Sequence, residues 1–260
     1  MNKYQGLNRR QRDIISFLRN KEYTTVEELA DHCLCSQPTI RRDLLYLDSI
    51  NYITRLRGGA SINPKIPQSA LRINRNDSYW EEKNRIGKKA AEFVHNGDMI
   101  SINTGTTVMA FTNYLWEKQN LSIVSGDYEI ALILSRKPDF NVTVLGGKVE
   151  KEVPGILGKF SNETIRSFHF DKCFIGVMAI NPSDGLMTAR YEQAETARAF
   201  IESSRRVFVI TDSSKFSKRT GAIIAPLSSI HTLITDRGIN QFPEIVEQIK
   251  NHQEVQLIIV

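Results

Sequence analysis

Apolar residues recur through the first sixty positions at the spacing of short helices. Ile14, Ile15 and Leu18 share one face of residues 8–20, with basic residues opposite. Val26, Leu29 and Ala30 make the inward stripe of a second helix, opened by Thr25 and Glu28 in the spacing of a capping box. After a turn at Leu34 and Cys35, Ile40, Leu44 and Leu47 stand at i, i+4 and i+7 of a third helix. Ser36 is placed to cap it, and Pro38 falls in the first turn, where no intrahelical donor is needed. Alternation then replaces helical spacing, with Ile53, Arg55 and Arg57 set against Thr54 and Leu56. Gly58-Gly59 allows a tight reversal and residues 60–62 a returning strand. Three short helices, a tight turn before the third and a hairpin after it predict a winged helix-turn-helix over residues 1–62.

Residues 63–77 contain Pro64 and Pro67, polar side chains and little apolar periodicity, so they read as a linker. From 78 onward the pattern changes. Ser78 and Glu81 match a second capping box, and Ile86, Ala90, Phe93 and Val94 line one face of the helix that follows, up to Gly97-Asp98. Short apolar runs at 99–102, 121–124, 142–145, 172–180, 207–211, 232–235 and 255–260 then alternate with small-residue loops and helices. One of those helices, over 191–204, turns Ala194, Ala197, Phe200 and Ile201 inward. Such alternation predicts an α/β domain over 78–260, built on a mostly parallel sheet covered on both faces.

Charge sharpens the division. Residues 1–80 carry 13 Lys/Arg against 8 Asp/Glu, while 81–260 carry 21 of each, so the whole formal charge of +5 lies in the first third. The N-terminal segment is therefore expected to meet a polyanion and the rest not. No apolar run approaches the roughly 18 residues of a membrane span. The basic N-terminus is not followed by an apolar stretch, so no secretory signal is read and the cytoplasm is expected. Three cysteines suit a reducing compartment rather than a disulfide framework, and His32, Cys33 and Cys35 lack a second ligand pair for zinc. No cofactor or metal is expected.

Two sets of residues carry candidate chemistry. On the third helix Gln37, Thr39, Arg41 and Arg42 point away from the apolar stripe, where amide, hydroxyl and guanidinium groups suit base edges and phosphates of double-stranded DNA. Arg55 and Arg57 of the hairpin can hold the DNA backbone. In the second domain, ligands of a parallel sheet bind beyond the carboxyl ends of the strands. Those ends carry Thr104, Gly105, Thr106 and Thr107, then Ser125 and Asp127, Gly146 and Gly147, and Lys215. The turn at 104–107 is the best phosphate candidate: a glycine for close backbone approach, hydroxyl donors and a following helix start.

TIRRDL at 39–44, with Arg12, Ile15, Leu18, Val26, Leu29 and Ala30 upstream and GGA downstream, resembles the winged helix-turn-helix of the DeoR family of bacterial transcriptional regulators. The family usually has His where this chain has Arg57. Glu82-Lys83, Ile86, Gly97-Asp98, TGTT, LGG at 145–147, Gly158, DKCFIG at 171–176, DGLMT at 184–188, DSSKF at 212–216 and ITD at 234–236 are similar to that family's sensor domain. The resemblance implies a fold shared with ribose-5-phosphate isomerase and CoA-transferase-like enzymes, a phosphorylated sugar as effector, and repression of a carbohydrate-utilisation operon by a homo-oligomer. It places Lys172, with Thr104 to Thr107, Gly146, Gly147 and Lys215, around the effector, and leaves Asp171 and Asp212 open between ligand contact and structure. Two departures stand out: Asn103 where the family usually has Asp, and Ser125-Gly126-Asp127 where it usually has Thr-Asn-Ser. The relocated carboxylate is expected to shift effector choice. The alternative is a sugar-phosphate isomerase-like enzyme fused to a DNA-binding head, with Asp184, Glu192, Glu195 and Lys215 as raw material.

Overall fold

A computed structural model of the chain describes residues 8–18, 21, 23–49, 52–62, 79–150, 153–216 and 218–260. These fall into two compact units, within Met1–Ser78 and Tyr79–Val260. The expected linker at 63–77, Ser78 of the second capping box and the Arg12 side chain lie outside the described residues.

The first unit runs α1 (Arg9–Leu18), β1 (Thr24–Thr25), α2 (Val26–Cys33), α3 (Gln37–Ser49), β2 (Ile53–Leu56) and β3 (Gly59–Ile62). The three expected apolar stripes meet in one core: Ile14, Ile15, Leu18, Leu29, Ile40, Leu44 and Leu47 are all buried. The capping box of α2 is present, with Glu28 N–H donating to Thr25 Oγ1 at 3.1 Å and Thr25 N–H donating to Glu28 Oε2 at 2.8 Å. Leu34 takes a left-handed conformation (φ 50°) and turns the chain tightly into α3. Ser36 engages the Thr39 hydroxyl at 2.9 Å. The hairpin reverses at Arg57-Gly58, one residue earlier than the pattern predicts, because Leu56 pairs with Gly59 and Gly58 carries the positive φ of 80°. Gly59 is needed for a different reason. Strand β1, not legible in the sequence, pairs antiparallel with β3, and a Cβ at Gly59 would lie 2.1 Å from the Thr24 carbonyl oxygen.

The second unit opens with α4 (Trp80–Ala91), β4 (Met99–Ile102), α5 (Thr106–Thr112), β5 (Ser122–Ser125), α6 (Tyr128–Leu134) and β6 (Asn141–Val144). A two-stranded hairpin, β7 (Lys148–Val149) and β8 (Ile156–Leu157), and α7 (Lys159–Arg166) lead to β9 (Phe170–Ile175). Then come β10 (Ala179–Asn181), β11 (Gly185–Thr188), α8 (Tyr191–Glu202) and β12 (Ser204–Ile210). The chain ends with β13 (Ala222–Ala225), β14 (Thr232–Thr235), α9 (Pro243–Asn251) and β15 (Gln256–Ile259).

Seven strands form one parallel sheet in the order β15-β14-β12-β9-β4-β5-β6. Alternation along β9 and β12 sends side chains to two cores. Phe174 and Phe208 stack at 4.9 Å on the face covered by Ile86 of α4 and Phe111 of α5. Cys173, Ile175, Val207 and Val209 join Ile165 of α7 and Phe200 of α8 on the other. Both faces are thus closed, as the near-continuous apolar runs require. The run at 172–180, expected as one strand, is two: β9 in the parallel sheet and β10 in a small antiparallel sheet with β11 and β13. It breaks at Gly176, whose backbone N–H and carbonyl are both taken by the Asn103 side chain.

Candidate functional site

Helix α3 presents its polar face as the sequence suggests. Gln37, Arg41 and Arg42 are exposed and Thr39 half-buried, while Ile40, Leu44 and Leu47 face inward. Gln37 and Arg41 are four residues apart and so lie one above the other on the helix surface. Between them and the core sits a residue whose role the sequence hid. Asp43 is 4% exposed; it takes Arg10 Nε at 2.5 Å and Gln11 Nε2 at 3.0 Å, fastening α3 to α1. The Asp43 carboxylate raises the Arg10 pKa by hydrogen bonding and charge. Arg55 and Arg57 are exposed on the hairpin, whose tip is held to α2 by Val26 N–H donating to the Gly58 carbonyl at 2.9 Å and to Tyr23 by its hydroxyl donating to the Arg57 carbonyl at 2.9 Å.

In the second unit strand order reverses between β4 and β9, and a cleft is expected outside the carboxyl ends at that point. Asn103, first residue after β4, bridges it. Its Nδ2 donates to the Gly176 carbonyl at 3.1 Å and its Oδ1 accepts from Gly176 N–H at 2.9 Å. The chain then turns through Thr104 and Gly105 into α5. Gly105 adopts φ 146°, and nothing but the Val108 methyl at 3.7 Å lies near the position of a Cβ. Thr106 is exposed and Thr107 buried; the first-turn N–H groups of α5 have no side-chain cap. The Thr104 hydroxyl donates to Asp127 Oδ2 at 2.8 Å.

Asp127 is 1% exposed, and its other oxygen caps α6, accepting from Glu129 N–H at 2.9 Å and Ile130 N–H at 3.1 Å. Burial pushes its pKa up to about 6, against the hydrogen bonds from Ile130, Thr104 and Glu129 that pull it down. Ser125 braces the same loop, with its hydroxyl donating to the Asp127 carbonyl at 2.8 Å. Gly146 and Gly147 follow β6. A Cβ at Gly147 would lie 2.5 Å from the Leu157 carbonyl oxygen and from Ser161 Oγ, and that hydroxyl donates to the Gly146 carbonyl at 2.8 Å. Lys215 sits half-buried on the turn after β12.

Lys172 does not join this group. Register sets it opposite Ile100, near the start of β4, whereas the candidate loops follow the strand ends. Its ammonium donates to Asp98 at 2.5 Å and lies 3.2 Å from His95 Nδ1. Asp171 is engaged nearby, accepting from Met99 N–H at 2.8 Å. Asp212 is fully buried, caps the turn carrying Lys215 through Ser214 N–H at 3.1 Å, and faces the Lys83 ammonium at 3.6 Å. A further cluster had no sequence signal: buried Glu150 meets Arg190 and Gln193. Among the described residues no group of His, Cys, Asp and Glu could hold a metal ion. No described helix is long and apolar enough to cross a membrane.

Two family profiles match this chain in order: the DeoR-like helix-turn-helix domain over residues 10–65 and the DeoR C terminal sensor domain over residues 78–237. The chain belongs to the DeoR family. As such it is a DNA-binding transcriptional regulator. Relatives include the glycerol-3-phosphate regulon repressor of Escherichia coli, 33% identical over 95% of this chain and 97% of that one. The transcriptional repressor GlcR of Bacillus subtilis is 34% identical over 88% of each chain. The lactose phosphotransferase system repressor of Streptococcus mutans is 30% identical over 85% of this chain and 89% of that one. Among solved structures, ribose 5-phosphate isomerase A of Neisseria gonorrhoeae is similar over 55% of this chain and 56% of its own, with 21% identity and a TM-score of 0.40.

The two departures from the DeoR pattern acquire physical content. At 103 an amide can donate to one backbone group and accept from another, which an ionised carboxylate cannot do. At 127 the carboxylate is spent on the α6 cap and on Thr104. The acids of the isomerase alternative go to separate partners: Asp184 to Arg219, Glu192 to Lys148 and Glu195 to Arg198.

Proposed function

We propose that the chain represses a carbohydrate-utilisation operon, reading operator DNA with Gln37, Thr39, Arg41 and Arg42 of α3 and gripping phosphates with Arg55 and Arg57. A phosphorylated sugar is sensed at the cleft between β4 and β9, where Thr104 to Thr107 hold the anion, Gly146, Gly147 and Lys215 surround the rest, and Ser125 and Asp127 brace the turn from behind. Lys172 is left out of that set because it is committed to Asp98. The protein acts in the cytoplasm, without cofactor or catalysis, as a homo-oligomer on repeated half-sites, since one small head offers few base contacts. The domains are those the sequence suggests, 1–62, 63–77 and 78–260. The observation that carries the DNA reading is the two-faced α3, fastened by Asp43 on one side and bearing Gln37, Arg41 and Arg42 free of the core on the other.

Selection of operators from random duplexes with the full chain tests it. Arg41→Ala and Arg42→Ala are each expected to lower affinity for the selected site by about 1–3 kcal/mol and to relax one base position. Arg57→Ala weakens all sequences alike and reduces the salt slope by about one. Unchanged operator affinity in both helix variants refutes the DNA reading.

A further inference from the structure

The β7–β8 hairpin and the start of α8 share a polar cluster that DNA binding does not use. The Glu150 side chain is 2% exposed and takes two donors on one oxygen, Gln193 Nε2 at 3.1 Å and the Arg190 guanidinium. The Thr188 hydroxyl donates to Gln193 Oε1 at 2.9 Å, which turns the amide's NH2 toward Glu150. Lys148 and Glu192, 3.4 Å apart, tie hairpin to helix a second time. The cluster adjoins the turn after β4. The Thr104 methyl and Glu150 Cγ lie 3.5 and 3.7 Å from the point where Gly155 would carry a Cβ.

Gly155 thus lies between the Thr104 side chain of the candidate phosphate turn and the stem of the oriented Glu150 carboxylate. A carboxylate accepts hydroxyls, and Oε1 of Glu150 takes no part in the contacts made by Gln193 and Arg190. The pairing suits two ends of one molecule: an anion at 104–107 and hydroxyls toward Glu150. We propose that Glu150, positioned by Arg190 and Gln193, accepts hydroxyl groups of the effector and selects polyhydroxylated phosphate esters over inorganic phosphate. This rests on the sensor-cleft reading above.

The test is calorimetric binding of glycerol 3-phosphate, ribose 5-phosphate, fructose 1-phosphate and inorganic phosphate to the full chain and to Glu150→Gln. The wild type is expected to bind one ester at least tenfold more tightly than inorganic phosphate. Glu150→Gln is expected to cut that ratio by roughly 10- to 100-fold, the loss of a charge-assisted hydrogen bond, while inorganic phosphate binds as well or better. An unchanged ratio overturns the inference alone. No binding of any ester by the wild type overturns the sensor reading and this inference together. If Glu150→Gln does not fold, Glu150→Asp, which keeps the charge but withdraws it by one methylene, must lower the ratio; an unchanged ratio there overturns the inference equally.

Discussion

Replacing Asp127 by Asn removes a charge while keeping the shape that caps α6. The folded chain holds this carboxyl at about 6, against an ordinary value of 3.8. Below both values the group is protonated in either state and nothing is lost. As pH rises between them, the unfolded chain ionises while the folded chain still binds the proton, so stability falls; well above pH 6, where both states are ionised, the loss is complete and constant. Two units correspond to about 3 kcal/mol. An asparagine imitates the neutral form. Its Oδ1 can keep the Glu129 and Ile130 N–H groups, and its amide can donate to a rotated Thr104 hydroxyl. The variant is therefore expected to match the wild type near pH 4 and to exceed it by roughly 1–3 kcal/mol at pH 7.5. Both tryptophans, Trp80 and Trp116, lie in the second unit. Urea unfolding followed by their fluorescence between pH 4 and 8 thus reports on that unit. A variant less stable at pH 7.5, or a difference that does not change with pH, refutes the reasoning.

Asn103→Asp removes the donor to the Gly176 carbonyl and sets a carboxylate oxygen against it, so the second unit should lose about 1–3 kcal/mol at pH 7.5. The loss should shrink in acid, where the introduced carboxyl regains a proton to donate; a pH-independent effect in the same urea assay contradicts the two-way clamp. Asp43→Ala leaves Arg10 and Gln11 without their acceptor and should destabilise the first unit by about 1–3 kcal/mol, seen as faster proteolysis there. Because the outward residues of α3 are untouched, operator affinity should fall while base preference stays; altered preference counts against a purely positioning role for Asp43.

Legibility tracked how local each feature is. The stripes of α1, α2 and α3 and the capping box at Thr25 depend on neighbours within a turn or two, and all were readable. So were the parallel strands, because burial on both faces leaves nearly continuous apolar runs. Strands β7, β8 and β10 were not, since two or three residues carry no period. The run at 172–180 misled because its interruption is made by Asn103, 73 residues away. Lys172, which the resemblance set around the effector, stands opposite Ile100, a position fixed by strand register and so not legible along the chain. Asp43 and Glu150 look like ordinary surface acids until Arg10 and Arg190 are brought to them. At the candidate site the backbone turn at 104–107 was visible and the side-chain network that braces it was not.

The most direct test of the account is the affinity of the full chain for its selected operator, with and without a saturating phosphorylated sugar that raises the melting temperature of the protein. A ligand that binds the DNA-competent and DNA-free states unequally must shift that affinity, and a coupling of about 1–3 kcal/mol corresponds to roughly 5- to 150-fold. A change in that range is the predicted result. Equal affinity with and without a ligand that demonstrably binds would contradict the claim that the cleft beside Asn103 governs the helix that reads DNA.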